Sequence, residues 1–256
     1  MEHIELLLFF FGIAAVYASA GFGGGSSYLA LLALYAVSMT TMKPTALLCN
    51  IVVVTGGTWL FWRGGFLNFK KIIPLSIASV PMAFLGGTML LKEKTFFLLL
   101  GTSLIVAAAL MFFQSFLKQN EVKKETGTIQ NTNPNIEILR GAFLGGSIGF
   151  LSGVVGIGGG IFLAPVLNLL KWDTPKNIAA TASFFILINS ISGLVGQLSK
   201  NPHLDWAFIL PLLFAVFLGG QLGSRLTTFK LNQTFVRQIT AILVLYAGVN
   251  ILCNNI

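Results

Sequence analysis

Two long sets of apolar runs, separated by one polar stretch, make up the chain. Apolar residues dominate residues 4–117 and again 141–252, with short polar turns between runs of about membrane-spanning length. Residues 118–140 are rich in Lys, Glu, Asn, Gln and Thr and lack apolar periodicity, which is typical of a solvated linker. The pattern predicts an all-α integral membrane protein with a first membrane repeat over 1–117, a linker over 118–140 and a second membrane repeat over 141–256.

A glycine block interrupts the first apolar run of each half. Residues 21–25 read GFGGG and residues 156–160 read GIGGG, at a spacing of 135 positions. An unbroken helix over residues 4–38 would extend ~52 Å, against a hydrocarbon core of about 30 Å, so the chain must bend or fold back at the glycines. Gly-broken segments at corresponding places in two halves are the best sequence pointer to a transporter's binding site.

The remaining spans repeat in the same order. Spans near 45–62, 72–91 and 96–117 follow the first break, and spans near 178–198, 206–223 and 234–252 follow the second. Pro74 corresponds to Pro211 at a spacing of 137, and Asn50 to Asn189 at 139. Each half is therefore predicted to hold a Gly-broken first segment followed by three transmembrane helices.

The basic residues decide between two topologies. If each broken segment crosses once, eight Lys and Arg lie on either side, which contradicts the positive-inside rule. If each returns to its own side, as a re-entrant hairpin or as two short crossings, twelve lie on one side, and only Lys43, Lys92, Lys94 and Lys200 lie opposite. The second arrangement predicts two inverted repeats, a cytoplasmic linker and both termini outside.

Composition and charge exclude several function classes. Hydrophobic residues make up 55% of the chain and charged residues 9%, with a mean hydropathy of +0.85. The net charge of +8 is spread over short loops, so the lipid bilayer is the expected partner and nucleic acid is not. All eight acidic residues and both histidines fall in loops or termini, and Cys49 and Cys253 have no CxxC spacing. We therefore expect no enzyme, cofactor, metal site or carboxylate proton relay.

The breaks supply the candidate chemistry. A helix that starts after glycines presents unpaired backbone N–H groups and a positive dipole end, which suit an anion. Hydroxyl and amide side chains near the breaks can add donors. The candidate substrate-binding residues are Gly23, Gly24, Gly25, Ser26, Ser27, Asn50, Gly158, Gly159, Gly160, Thr181, Asn189 and Gln197. In the alternative interpretation, the glycines only allow close helix packing and the amides only join helices.

The two halves, each opening with a Gly-x-Gly-Gly-Gly break and continuing with an Asn-containing helix, resemble the sulfite exporter TauE/SafE family. The second copy, GIGGGIFLAP over residues 156–165, carries the resemblance best, whereas the first has Ala30 where the second has Pro165. The resemblance implies transport of small sulfur-containing or carboxylate anions across the bacterial inner membrane.

A non-transporting membrane scaffold or accessory subunit is the alternative function. The residues do not name the anion, the direction of transport, the coupling or the oligomeric state. Lys43 is assigned to the loop before the span at 45, so no Lys or Arg is expected inside a span. The substrate should therefore be held by neutral donors.

Overall fold

The computed structural model describes residues 4–19, 21–116, 134–226 and 233–255. Within these ranges the regular structure is entirely α-helical, as predicted. The first half contains α1 Ile4–Ser19, α2 Gly25–Leu34, α3 Met39–Arg63, α4 Phe69–Thr88 and α5 Glu93–Phe116. The second half contains α6 Pro134–Val155, α7 Gly160–Leu169, α8 Pro175–Lys200, α9 Trp206–Leu226 and α10 Gln233–Asn255.

Six helices among the described residues are long and apolar enough to cross a membrane. They lie in α3, α4, α5, α6, α8 and α9, and the shorter apolar helices include α1, α2 and α7. Each of these six spans has at least 18 residues, which lies within the range of lengths that cross the hydrocarbon core. The prediction of an all-α, multi-pass membrane protein is confirmed.

The glycine blocks are the points where the chain changes direction. Gly24 precedes α2 with φ 84° and Gly159 precedes α7 with φ 82°. This left-handed backbone favours glycine, because a Cβ would be strained there. The helices that follow, α2 and α7, have 10 residues each. Such a helix extends about 15 Å, half of the hydrocarbon core.

Exchanging the two halves reproduces the packing of the helices. Helix α4 packs against α6 as α9 packs against α1, and α2 packs on α3 and α10 as α7 packs on α8 and α5. Helix α5 also packs against α10, and α3 against α8. The fold is thus built from two corresponding halves whose helices interlock. Their inversion relative to the membrane stays a prediction.

Glycines inside the long helices allow their backbones to pack closely. A Cβ on Gly145, Gly149 or Gly153 of α6 would overlap backbone atoms of α4. A Cβ on Gly219 or Gly223 of α9 would likewise overlap the backbone of α1. Small residues four positions apart let two membrane helices approach closely. The packing role applies to these glycines.

Two helices begin earlier than the sequence pattern indicated. Helix α3 starts at Met39 and carries Lys43 and Pro44 inside it, so the span assigned to residues 45–62 was too short. Helix α6 starts at Pro134, within the stretch assigned to the linker. Residues 118–133 of that stretch lie outside the described residues. The domain boundaries at 118 and 141 stay predictions.

Candidate functional site

A cleft lies where the two breaks meet. It has about 200 Å³ of free space when its open mouth is included, and the cleft itself has room for roughly one water molecule. The starts of α2 and α7 both contribute to it, together with side chains of α1, α3 and α8. The lining residues are Tyr17, Phe22, Gly23, Gly24, Gly25, Ser26, Asn50, Ile157, Gly160, Ile161 and Ile186.

Backbone N–H groups of two helix starts border this cleft. In α2 the amide of Tyr28 donates to the carbonyl of Gly24 at 3.0 Å, so the amides of residues 25–27 precede the first bond of the helix. In α7 the first such bond runs from the Phe162 amide to the Gly159 carbonyl at 3.2 Å. The positive dipole ends of both helices are therefore at the cleft.

Asn50 joins the two halves at the cleft. It is fully buried, and its Nδ2 donates to the carbonyl of Ile157 in the other break at 2.9 Å. Its amide also fills the space next to Gly23 and Gly25, where a Cβ would overlap it. The Oδ1 of Asn50 has no hydrogen-bond partner among the described residues. The Asn50 amide thus joins the two breaks through Nδ2, while its Oδ1 is available to accept a further hydrogen bond.

Hydroxyl groups line the first-half side. The Tyr17 hydroxyl and Ser27 Oγ form a buried hydrogen bond of 2.6 Å. Ser26 lines the cleft, is 1% exposed, and its Oγ has no partner within the described part of the chain. A buried hydroxyl without a partner is costly unless water or a ligand satisfies it.

The corresponding positions of the second half are apolar. At the 135-residue spacing of the breaks, Ser26 corresponds to Ile161 and Ser27 to Phe162. The cleft therefore has a polar wall from the first half and an apolar wall from the second. Two related halves have given rise to an asymmetric site.

The position equivalent to Asn50 is Ile186, at a spacing of 136. A Cβ on Gly25 would overlap the Asn50 amide, and a Cβ on Gly160 would overlap the Ile186 side chain in the same way. The pairing of Asn50 with Asn189 at 139 was therefore wrong in register. Asn189 lies almost one turn further along α8, where its Nδ2 donates to the Phe185 carbonyl at 2.8 Å.

The structure brings only some of the predicted site residues to the cleft. Gly23, Gly24, Gly25, Ser26, Asn50 and Gly160 line it. Ser27 bonds Tyr17 behind it, Gly159 caps α7, and a Cβ on Gly158 would lie 2.8 Å from Asn50 Nδ2. Thr181, Asn189 and Gln197 are buried in α8 and do not line the cleft.

Sequence reasoning missed five lining residues. They are Tyr17, Phe22, Ile157, Ile161 and Ile186. Phe22, Ile157 and Ile161 lie in or just after the glycine blocks, and Tyr17 lies one turn before the first block. The neighbourhood of the blocks was thus a usable signal for four of them. Ile186 could be found only from the packing of α8 on the second break.

Lys43 is the main departure from the expected site chemistry. It is 2% exposed within α3, so the expectation that no Lys lies inside a span was wrong. Its Nζ lies 4.8 Å from the centre of the Phe96 ring on α5. Pro44 had been interpreted as the boundary of the span, but it is the sixth residue of α3 and the helix continues through it.

Comparison with known proteins identifies the family. Residues 6–251 match the sequence profile described as Sulfite exporter TauE/SafE. The chain belongs to this family. Since the match covers nearly the full chain, this TauE/SafE protein is a membrane transporter, as the resemblance implied.

Relatives of this TauE/SafE chain carry names of the same kind. A "Probable membrane transporter protein y4hK" of Sinorhizobium fredii is 35% identical over 252 residues, which cover 98% of each chain. A "Probable membrane transporter protein" of Xylella fastidiosa is 24% identical over 245 residues, covering 90% of this chain and 88% of the relative. YunE of Bacillus subtilis, also named a probable membrane transporter, is 34% identical over 38% of this chain and 36% of its own. No solved structure matches the chain.

Proposed function

We propose that this protein transports small anions through the cleft between the two breaks. The family description names sulfite, and we include sulfonates and carboxylates as small anions of related chemistry. The observation that carries the proposal is the convergence on one cleft of two helix starts and the Ser26 hydroxyl, which has no partner among the described residues. We expect no enzymatic activity.

The balance of donors and acceptors at the cleft favours an anion. Backbone N–H groups at the starts of α2 and α7, the Ser26 hydroxyl and the second hydrogen of Asn50 Nδ2 can all donate. Among the described residues, none that lines the cleft carries a carboxylate. Oxoanions accept several hydrogen bonds at once, and charge-assisted bonds are the stronger kind. The apolar wall of Ile157, Ile161 and Ile186 would contact the organic part of a sulfonate or carboxylate.

The size of the cleft indicates that transport needs a movement of the halves. With room for roughly one water molecule, it cannot hold a sulfonate as it stands. Asn50 bonds the opposite break, and the hydroxyls of Thr58 on α3 and Ser183 on α8 lie 2.9 Å apart across the same interface. We propose that these contacts separate when the cleft opens to one side, as in alternating access by rocking of two repeats.

The direction we propose is export from the cytoplasm of a bacterial cell. With a negative cytoplasm, an anion moving outward gains about 2.3 kcal/mol per charge per 100 mV, which can drive efflux without a coupling ion. The competing mechanism is coupling to Na⁺ through backbone carbonyls at the breaks. The unpartnered Asn50 Oδ1 is an oxygen that such an ion could use.

Flux measurements on purified protein in proteoliposomes test the function. Sulfite, sulfoacetate, a longer sulfonate and a carboxylate are each loaded, and their release is followed at set membrane potentials. We expect at least one anion to move faster than through protein-free liposomes. Ser26→Ala should reduce this flux, whereas Ser147→Ala, which alters an exposed serine on α6, should not. Absence of flux for the whole panel would favour the scaffold alternative.

The same vesicles distinguish the two mechanisms. Uncoupled export predicts that flux grows with an inside-negative potential and is unchanged when Na⁺ or a pH gradient is added. Flux that ignores the potential but requires one of those gradients would contradict the uncoupled mechanism and favour coupling.

A further inference from the structure

A buried ammonium group lies next to the second break. Lys43 is 2% exposed, and its Cβ and Cγ lie 3.5 Å from the position of a Cβ on Gly156. The break thus passes along the stem of Lys43 at Gly156 and then reaches the Asn50 amide at Ile157. Lys43 and Asn50 are seven residues apart on α3, so they lie on one face, about 10 Å apart along the axis.

Lys43 has no counter-ion in the part of the chain that the structure describes. The ion pair found in those residues joins Lys71 to Asp173, and no carboxylate is paired with Lys43. Its Nζ faces the Phe96 ring, and the stem of the side chain passes Gly156, the residue that follows the last residue of α6. A ring face and a helix dipole stabilise a cation only partly. A buried charge is normally paired, so an unpaired one inside a membrane protein marks a functional site.

The other half shows that the fold does not need a lysine here. A Cβ on Gly21 would lie 3.3 Å from the Cβ of Ala179. Gly21 corresponds to Gly156, so Ala179 occupies the place that Lys43 has beside the second break. The spacing from Lys43 to Ala179 is 136, the same as that from Asn50 to Ile186. The lysine thus belongs to the set of polar residues that only the first half contributes. The first break is packed by this alanine and by the ring of Phe61, without a charged group.

We propose that Lys43 binds the negative charge of the transported anion at a second position on its route, two helical turns from Asn50 toward the start of α3. This inference rests on the proposed anion transport. Neutral donors hold the anion at the cleft. When the halves separate, the anion moves from the cleft to the Lys43 ammonium. The ligand is a small oxoanion, a sulfonate or sulfite group or a carboxylate. In the predicted topology this end of α3 faces the exterior, so Lys43 lies on the exit side.

Replacing Lys43 by methionine removes the charge and keeps most of the volume. We expect Lys43→Met to raise the anion concentration for half-maximal flux about tenfold to a hundredfold, as for the loss of a charge-assisted hydrogen bond. Lys43→Arg should retain most of the wild-type affinity. Without anion, the melting temperature of Lys43→Met should equal or exceed that of the wild type, because an unpaired buried charge has been removed.

Lys94→Met is the matched control, because Lys94 is exposed at the start of α5, on the same predicted side of the membrane. It should leave the half-maximal concentration unchanged. All measurements are repeated in purely zwitterionic lipid and with added phosphatidylglycerol, since a lipid phosphate is another source of an anion. An effect of Lys43→Met that appears only with phosphatidylglycerol would assign Lys43 to lipid and overturn the proposal.

The outcomes separate this proposal from the general function. If the wild type transports an anion and Lys43→Met has the same half-maximal concentration, the role of Lys43 is overturned and the proposed function is not. A Lys43→Met protein that melts well below the wild type or does not fold would also overturn it, since Lys43 would then be structurally paired. Lack of any anion flux in the wild type would overturn both.

Discussion

The substitution Gly25→Ala tests whether the breaks form a tight joint between the halves. A Cβ at this position would lie 2.7 Å from the Ile157 carbonyl oxygen and closer still to Asn50 Nδ2. Contacts under 3.0 Å force a shift, so Asn50 must move and its 2.9 Å bond to Ile157 must break. The methyl group would also enter the cleft that Gly25 lines.

The expected magnitude follows from these contacts. Leaving the buried Ile157 carbonyl without its partner costs about 1–3 kcal/mol. The better helix propensity of alanine returns at most about 1 kcal/mol. We therefore expect a net destabilisation of about 1–2 kcal/mol, or a lowering of the melting temperature by roughly 2–8 °C for a chain of this size. Transport should fall more strongly, at least about tenfold, because a 1 Å misplacement at a site can cost a hundredfold.

The assay compares Gly25→Ala with Gly146→Ala by thermal unfolding in detergent and by anion flux. Gly146 is also a buried helical glycine, but its Cβ would meet nothing closer than 3.7 Å, so its substitution should be neutral or slightly stabilising. In a double-mutant cycle, Gly25→Ala should cost less when Asn50→Ala is already present. Equal effects of the two glycine substitutions, or additive effects in the cycle, would refute this account of the joint.

Four further predictions address topology, pH and the remaining site residues. A cysteine that replaces Asn131 should not react with a membrane-impermeant thiol reagent applied from outside, whereas a cysteine added after Ile256 should react. The reverse pattern would contradict the inverted arrangement. Burial raises the pKa of Asp173 in the α7–α8 loop, but hydrogen bonds from Lys71, the Thr174 amide and Asn177 outweigh it, so the pKa is lowered. The carboxylate therefore stabilises the fold above its unfolded pKa of about 3.9. This stability is lost as the pH falls through the lower folded pKa. Melting temperatures between pH 3 and 7 should accordingly fall less at acidic pH in Asp173→Asn than in the wild type. Gly159→Ala should lower stability by about 1–2 kcal/mol because its φ is 82°, whereas Gly12→Ala, with nothing near its Cβ, should not; unfolding in detergent compares them. Asn189→Leu should leave the half-maximal anion concentration unchanged because Asn189 does not line the cleft, and a rise as large as that of Asn50→Leu would return Asn189 to the site.

Local properties of the sequence were enough for the fold class and for the position of the two breaks that border the cleft. The lengths of the apolar runs predicted membrane helices, because crossing hydrocarbon imposes a minimum length. The two glycine blocks predicted the breaks at 21–25 and 156–160, because only glycine adopts the left-handed backbone found at Gly24 and Gly159 without strain. The starts of α2 and α7 followed directly, and with them the donors at Gly25, Ser26 and Gly160.

Tertiary structure alone decided which side chains meet at those breaks. Asn189 matched Asn50 by residue type, yet Ile186 occupies the corresponding place. A shift of three residues moves a side chain about 4.5 Å along the helix axis and about 60° around it, which takes Asn189 away from the break. Lys43 looked like a loop residue because its burial depends on α5 and on the second break, which are distant in sequence. Sequence by itself determined that the chain forms membrane helices and where it bends at the two glycine blocks. Packing between the halves determined that the polar groups gather on one wall, because contacts across that interface depend on helix register, which hydrophobic patterning does not encode.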